Sequence, residues 1–244
     1  MIYMVLLGAL IGILSGMFGF GGSSISTPFL RVLFSVPPLI ALGSPLPMTL
    51  ISSGIATWKY QRVDMIDWSK VKVLLLTMIP GSLIGAYLTK YIDGKTLMLL
   101  TAFFLMYVSL RFIFKKSDGK KTIREAWIFY VAGFFIGLLS GLLANGGGIL
   151  VVPVLVLLGM DIKKAVGTSL AVVLLGVLPA VLVHWYLGHI DWLITLLLTL
   201  GVIPCSYLGA KLAITLHAKK LQRYYGAFLI LFSTYFLIYE LMNL

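Results

Sequence analysis

Two glycine runs hold the residues best suited to binding something polar within an otherwise apolar chain. The first is Gly21-Gly22-Ser23-Ser24, and the second is Asn145-Gly146-Gly147-Gly148. Apolar arms flank both. A helix that begins just after such a run leaves its first backbone N–H groups without partners inside the helix. It also directs the positive end of its dipole, equivalent to about half a charge, at whatever lies ahead. Glycine admits positive φ and close approach of backbone to a ligand. The Ser23 and Ser24 hydroxyls and the Asn145 amide add donors. Two such ends aimed at one point make an anion site without an Arg or Lys in lipid. The alternative for the same glycines is close helix packing at small residues.

Further candidates follow from the same logic. Ser44, Thr168 and Ser169 open the apolar stretches after the two runs. They either complete a polar ring around an anion or cap and cross-link helices. Pro80-Gly81 and Pro204-Cys205-Ser206 fall inside apolar stretches, where proline frees a carbonyl and kinks a helix. Hinge or pore lining and simple kinked packing both fit that pattern. His184 ends another apolar stretch, and its charge changes near neutral pH. It is a candidate for proton coupling, with an interfacial position as the plainer alternative.

Chemistry beyond binding finds no support. There is no pair of carboxylates inside an apolar run and no metal-ligand spacing. No glycine-rich loop leads into Lys-Ser/Thr. The expectation is therefore a protein that is not an enzyme, with no cofactor and no metal. Cys205 is the single cysteine, so an internal disulfide is impossible.

The elements that must position these residues belong in a membrane. The chain has 244 residues, 60% hydrophobic and 11% charged, with a mean hydropathy of +1.06. Soluble domains carry about 25% charged residues. The apolar stretches do not alternate as barrel strands do, and they suit helices of about 20 residues across a core of about 30 Å. Backbone satisfaction in lipid then calls for a helical bundle. The first stretch has neither a basic leader nor a small-residue cleavage site, and reads as a membrane helix. The net charge of +11 sits in short loops. Topology and anionic lipid explain it without nucleic acid.

The chain repeats itself. At a shift of 125 residues Ser15, Gly16, Gly21, Gly22 and Pro28 fall on Ser140, Gly141, Gly146, Gly147 and Pro153. At a shift of 124, Ala41-Leu42-Gly43-Ser44 matches Ala165-Val166-Gly167-Thr168, and Ile66-Asp67-Trp68 matches Ile190-Asp191-Trp192. Residues 1–114 form one transmembrane repeat and 126–244 the other. The polar stretch 115–125 connects them.

The basic residues choose between two arrangements, because cytoplasmic loops collect Lys and Arg. If each glycine-broken unit crosses the membrane, the 19 basic residues divide almost evenly. If each is a hairpin that returns to its own face, all but Arg31, Lys90 and Lys95 gather on one side. The expectation is an all-α integral membrane protein of two inverted-topology repeats. Each repeat is a glycine-tipped helical hairpin plus three membrane-spanning helices. The connector 115–125 is cytoplasmic and both termini are outside. The second arms are too short to cross the bilayer, so the tips sit at depth, a recurring transporter plan.

These motifs together resemble the TauE/SafE family. The doubled Gly-x-x-x-Gly…Gly-Gly…Pro pattern, Gly167-Thr168-Ser169-Leu170 and Ile190-Asp191-Trp192 carry the resemblance, which covers both halves. The first half departs from it with Ser23 where the second has Gly148, and Pro45 where the second has Ser169. The resemblance implies an inner (plasma) membrane transporter exporting sulfite, sulfoacetate or related organosulfur anions. Expected partners are a small anionic substrate and the lipid bilayer, and a homodimer is compatible. An anion channel, or a membrane scaffold without transport, are the alternatives.

Overall fold

The computed structural model describes residues 1–114, 126–144 and 146–242. The connector 115–125 and Asn145 lie outside the described residues. All regular structure among the described residues is helical: α1 (Ile2–Phe18), α2 (Ser23–Phe34), α3 (Pro38–Gly43), α4 (Pro45–Gln61), α5 (Trp68–Leu88) with a 3-10 turn after it, α6 (Gly94–Phe114), α7 (Ala126–Leu142), α8 (Gly148–Leu157), α9 (Ile162–Gly176), α10 (Leu178–Tyr186), α11 (Trp192–Thr215) and α12 (Ala218–Met242). Five spans among the described residues are long and apolar enough to cross a membrane: Pro38–Gln61, Trp68–Tyr91, Ile162–Tyr186, Trp192–Thr215 and Ala218–Met242. The protein is an all-helical integral membrane protein.

Local chemistry sets the helix ends. At the end of α1, Gly19 adopts the left-handed conformation, and its N–H returns 2.8 Å to the Ser15 carbonyl, the usual way of closing a helix. Pro45 opens α4, where a missing N–H costs no hydrogen bond. The repeated Ile-Asp-Trp element is a helix start. Asp67 accepts a hydrogen bond from Lys70 N at 3.2 Å at the head of α5. Asp191 accepts from Leu193 N and Ile194 N, at 2.8 and 3.1 Å, at the head of α11.

The two halves interlock. α1 packs along α11, and its counterpart α7 packs along α5. Glycines make both seams close. A Cβ at Gly12 would stand 2.9 Å from the Val202 carbonyl oxygen. One at Gly133 would stand 2.7 Å from that of Leu74. Gly8 and Gly16 fall against Leu198 and Ser206, and Gly137 and Gly141 against Met78 and Ser82. Sequence numbers rise together across each seam, so these pairs are parallel. The other exchanged pairs run antiparallel. In α6 and α12, Ser109 Oγ donates to Leu229 O at 3.0 Å, while Ser233 Oγ lies 3.8 Å from Met106 Sδ. Between α4 and α9–α10, Ser44 meets Asp191 and Thr168 meets Asp67.

These contacts collect the helix ends into two sets. Lys70 Nζ stands over the Phe129 ring at 4.0 Å. Lys163 Nζ donates to Ile214 O at 2.7 Å, and Lys59 Nζ to Tyr207 Oη at 3.2 Å. The ends bearing Asp67, Lys70, Asp161 and Lys164 enclose a pocket of about 270 Å³ with Phe129. At the opposite end Arg31 pairs with Glu240 at 3.5 Å, joining α2 to α12. The second arms turn back along the first. Tyr3 and Leu10 of α1 line a groove with Phe34 and Phe29 of α2, and Phe129 of α7 shares the polar pocket with Leu158, just past α8.

Candidate anion site

The two glycine breaks meet at the centre of the bundle. Gly21 and Gly22 have φ of +80° and +122°, and Gly146 and Gly147 have +65° and +79°. Such values are open to glycine and strained for other residues. A Cβ on Gly148 would lie 2.7 Å from the Phe20 carbonyl carbon, and closer still to the Gly19 oxygen. One on Gly146 would stand 3.0 Å from Ser23 Oγ and 3.4 Å from Thr49 Cγ2. One on Gly21 would meet the same Thr49 methyl at 2.8 Å. The first turns of α2 and α8 therefore start beside each other.

The hydroxyls around this point have different employments. Thr49 Oγ1 accepts from Ser23 N at 3.0 Å and donates to Pro45 O at 3.0 Å. Ser169 Oγ donates to Gly19 O at 2.9 Å and also lies 3.4 Å from Gly148 O, tying both breaks to α9. Ser24 is buried in the first turn of α2. Ser23 Oγ is fully buried and has no hydrogen-bond partner among the described residues. A buried hydroxyl left unsatisfied costs about 1–3 kcal/mol.

Other candidates go to other places. Ser44 Oγ accepts from Asp191 N at 2.9 Å, and Thr168 Oγ1 accepts from Asp67 N at 2.9 Å. Each start of a span thus holds the Ile-Asp-Trp element of the opposite half, and this pair of contacts follows the repeat. Pro80 and Pro204 are exposed on the outside of the bundle. Gly81 lies against α7 at Leu138, and Cys205 borders Gly12 of α1. Ser206 Oγ is 3.0 Å from Ser52 Oγ, which is 2.7 Å from Ser15 Oγ. This chain of three hydroxyls links α11, α4 and α1.

The chain of hydroxyls has no equal in the second half. The repeat places Ser82, Gly176 and Ser140 where the first chain has Ser206, Ser52 and Ser15. Without the middle hydroxyl, Ser82 Oγ and Ser140 Oγ are buried and have no hydrogen-bond partner among the described residues. Sequence reasoning missed Ser52. Its only signal was that both Ser15 and Ser206 recur at the repeat distance while their common partner does not.

The site is uncharged. No Asp, Glu, Lys or Arg stands among the residues brought together, and no group of three metal-ligating side chains exists among the described residues. Backbone N–H groups, hydroxyls and helix dipoles are the polar groups gathered there.

Paired helix breaks buried inside an interlocked helical bundle define a class, the polytopic membrane transporters, in which irregular backbone survives only where protein or a cavity surrounds it. Within that class this chain belongs to the family described as Sulfite exporter TauE/SafE, which matches residues 4–236. It is 27% identical over 246 residues to the probable membrane transporter protein YunE of Bacillus subtilis, covering 89% of each chain. It is 25% identical over 236 residues to a probable membrane transporter protein of Methanocaldococcus jannaschii, covering 90% of this chain and 88% of the other. No solved structure matches it.

Proposed function

We propose that this protein is a secondary transporter that carries small sulfur-containing anions, sulfite, sulfoacetate or related oxyanions, out of the cell by alternating access. The observation that carries this reading is the orphaned Ser23 hydroxyl between two facing helix starts. α2 and α8 bring their positive ends to one uncharged, buried point, and the Ser23 hydroxyl there has no acceptor among the described residues. An oxyanion supplies the missing acceptor and answers both dipoles. Gly21, Gly22, Gly146, Gly147 and Gly148 let it approach, with Ser23, Ser24 and Asn145 as donors and Ser169 beside them. Ser44 and Thr168 serve at the rim, through the Ile-Asp-Trp elements they hold.

The halves are inverted across the membrane in this proposal, with the connector in the cytoplasm and both termini outside. Two things support it: the antiparallel course of α4 against α9–α10, and the clustering of basic residues at one end of the bundle. Exchange of contacts between the interlocked seams is then the motion that opens one face and closes the other, with Pro80-Gly81 and Pro204 as kinks in the moving helices.

The test is flux of sulfite, sulfate, thiosulfate and sulfoacetate in proteoliposomes. Saturable flux that falls at least tenfold with Ser23→Ala supports the reading. Absence of flux and of any thermal shift across the panel overturns it. Single-channel currents, or turnover far above about 10³ per second, favour an anion channel instead.

A further inference from the structure

The repeat assigns two side chains the same task with different chemistry. Tyr60 Oη donates to Gly16 O at 3.4 Å near the end of α1. His184, its counterpart 124 residues on, sets Nε2 3.5 Å from Gly141 O near the end of α7. Gly16 and Gly141 are themselves counterparts. Both carbonyls lie in last turns, where the helix has no N–H for them and the dipole is negative. The first half closes its helix with a neutral phenol, the second with an imidazole.

His184 is fully buried, and its other nitrogen is occupied. Nδ1 lies 3.0 Å from Nδ1 of His189, a half-buried residue in the loop before α11. A carbonyl only accepts, so His184 carries its proton on Nε2. Its Nδ1 then accepts the Nδ1–H of His189. This leaves one open lone pair in the pair, His189 Nε2, on the ring nearer the surface.

We propose that His184 and His189 are the proton-binding site of this transporter, relaying a proton from the membrane face at the end of α10 to the rim of the anion site, so that proton and anion bind together. The relay balances simply. A proton arrives at His189 Nε2, and the Nδ1 proton of His189 crosses to His184 Nδ1. His189 is then neutral with its proton on Nε2, and His184 is an imidazolium donating to Gly141 O and carrying a second N–H toward His189 Nδ1.

The charge ends where it matters. At each break a helix arrives with its negative end and another leaves with its positive end, so the dipoles partly cancel. A cation capping α7 tips that balance toward an anion. Ser140, next to Gly141, lies 3.4 Å from the Cβ position of Gly147, so the cap borders the second break directly. By linkage, an anion at the breaks raises the proton affinity of the pair by the same factor that the proton raises anion affinity.

The surroundings leave this role to the pair. α10 packs against α3, α4, α5, α7 and α9. Near its end stand Tyr87 of α5, beside Val183, and Asp191, whose carboxylate is engaged at the head of α11. Lys59 and Tyr60 of α4, Lys70 and Lys72 of α5, Tyr130 of α7, and Lys163 and Lys164 of α9 lie toward the opposite ends of their helices, and α3 has no titratable residue. Burial holds His189 below the usual imidazole range, so unliganded His189 gives a proton up readily.

This inference rests on the anion reading of the glycine breaks, and the experiment separates the two. Proteoliposomes with a trapped pH dye receive a sulfoacetate gradient, chosen because sulfite itself titrates near neutrality. The wild type is expected to move protons in the same direction as sulfoacetate, and to bind it about fivefold or more tightly at about pH 6 than at about pH 8. His184→Tyr, which installs the first half's own cap, is expected to abolish the proton movement and flatten the pH dependence. Sulfoacetate flux in the wild type without proton movement, at unchanged affinity, overturns the coupling and leaves the anion reading standing. No flux of sulfoacetate, sulfite, sulfate or thiosulfate at any pH overturns the anion reading, and the coupling with it. The wild-type dye measurement decides even if the variant does not fold.

Discussion

Gly148, the first residue of α8, lies with its Cα against the backbone of Gly19, at the close of α1 in the other half of the chain. This contact joins the two breaks and excludes a side chain. Gly148→Ala drives a methyl group into the Gly19 carbonyl and the Phe20 backbone, neither of which is a flexible side-chain end. Overpacking of this kind costs about 1–3 kcal/mol. Thermal unfolding in detergent should show a clear fall. Gly188→Ala is the comparison: its φ is +72° with nothing within 4 Å, so only backbone strain of about 1–2 kcal/mol acts. A smaller loss at Gly148 than at Gly188 contradicts the close contact.

Ser23 and Ser169 should respond in opposite ways. Ser23→Ala removes a buried hydroxyl that has no partner among the described residues, so stability holds or rises by about 1 kcal/mol while anion binding falls. Ser169→Ala removes the bond to Gly19 O and leaves that carbonyl wanting, lowering stability by about 1 kcal/mol. Unfolding temperatures and anion titrations on the same two preparations check both signs.

The hydroxyl chain makes a contrast between the halves. Ser52→Ala leaves Ser15 and Ser206 as buried orphans and should destabilise by about 1–3 kcal/mol. Ser140→Ala, at the counterpart of Ser15, removes a group unpartnered among the described residues and should be neutral or stabilising. Equal losses for the two would mean that Ser140 has a partner.

Acid should weaken the unliganded protein through His189. Burial depresses its folded pKa below the unfolded value, so the unfolded chain binds more protons as pH falls. The stabilising contribution is full above about pH 6.5 and is lost on going below it. Unfolding temperature against pH should drop in that window for the wild type and less so for His189→Gln. An added anion that holds the protonated pair should flatten the same curve.

Much of this organisation was legible in the sequence, and the reason is periodic. The membrane class follows from apolar stretches that water cannot solvate. The two helix breaks follow from glycines, which mark backbone that other residues cannot adopt, and from a repeat that doubles every mark; the hairpin reading came from the placing of Lys and Arg. The Ile-Asp-Trp element was visible as a match, but its work as a helix start was not, because an N-cap is a relation between one carboxylate and N–H groups beyond it. Ser44 and Thr168 were chosen as hydroxyls near the breaks. Their bonds to Asp191 and Asp67 could not be read, since those partners come from the opposite half.

By itself the sequence determined the local vocabulary: which segments are helices, where they must break, and that the chain is two copies of one plan. Only the tertiary structure decided which copies touch. α1 lies on α11 and α7 on α5, so both helix seams and the meeting of the two breaks cross between halves at long separation, and no local pattern encodes them. The same holds for the differences between copies. Ser52 against Gly176, and Tyr60 against His184, are single letters in an alignment of the halves. Their meaning, a completed hydroxyl chain against an open one and a fixed cap against a titratable one, comes from what the folded neighbours offer each atom.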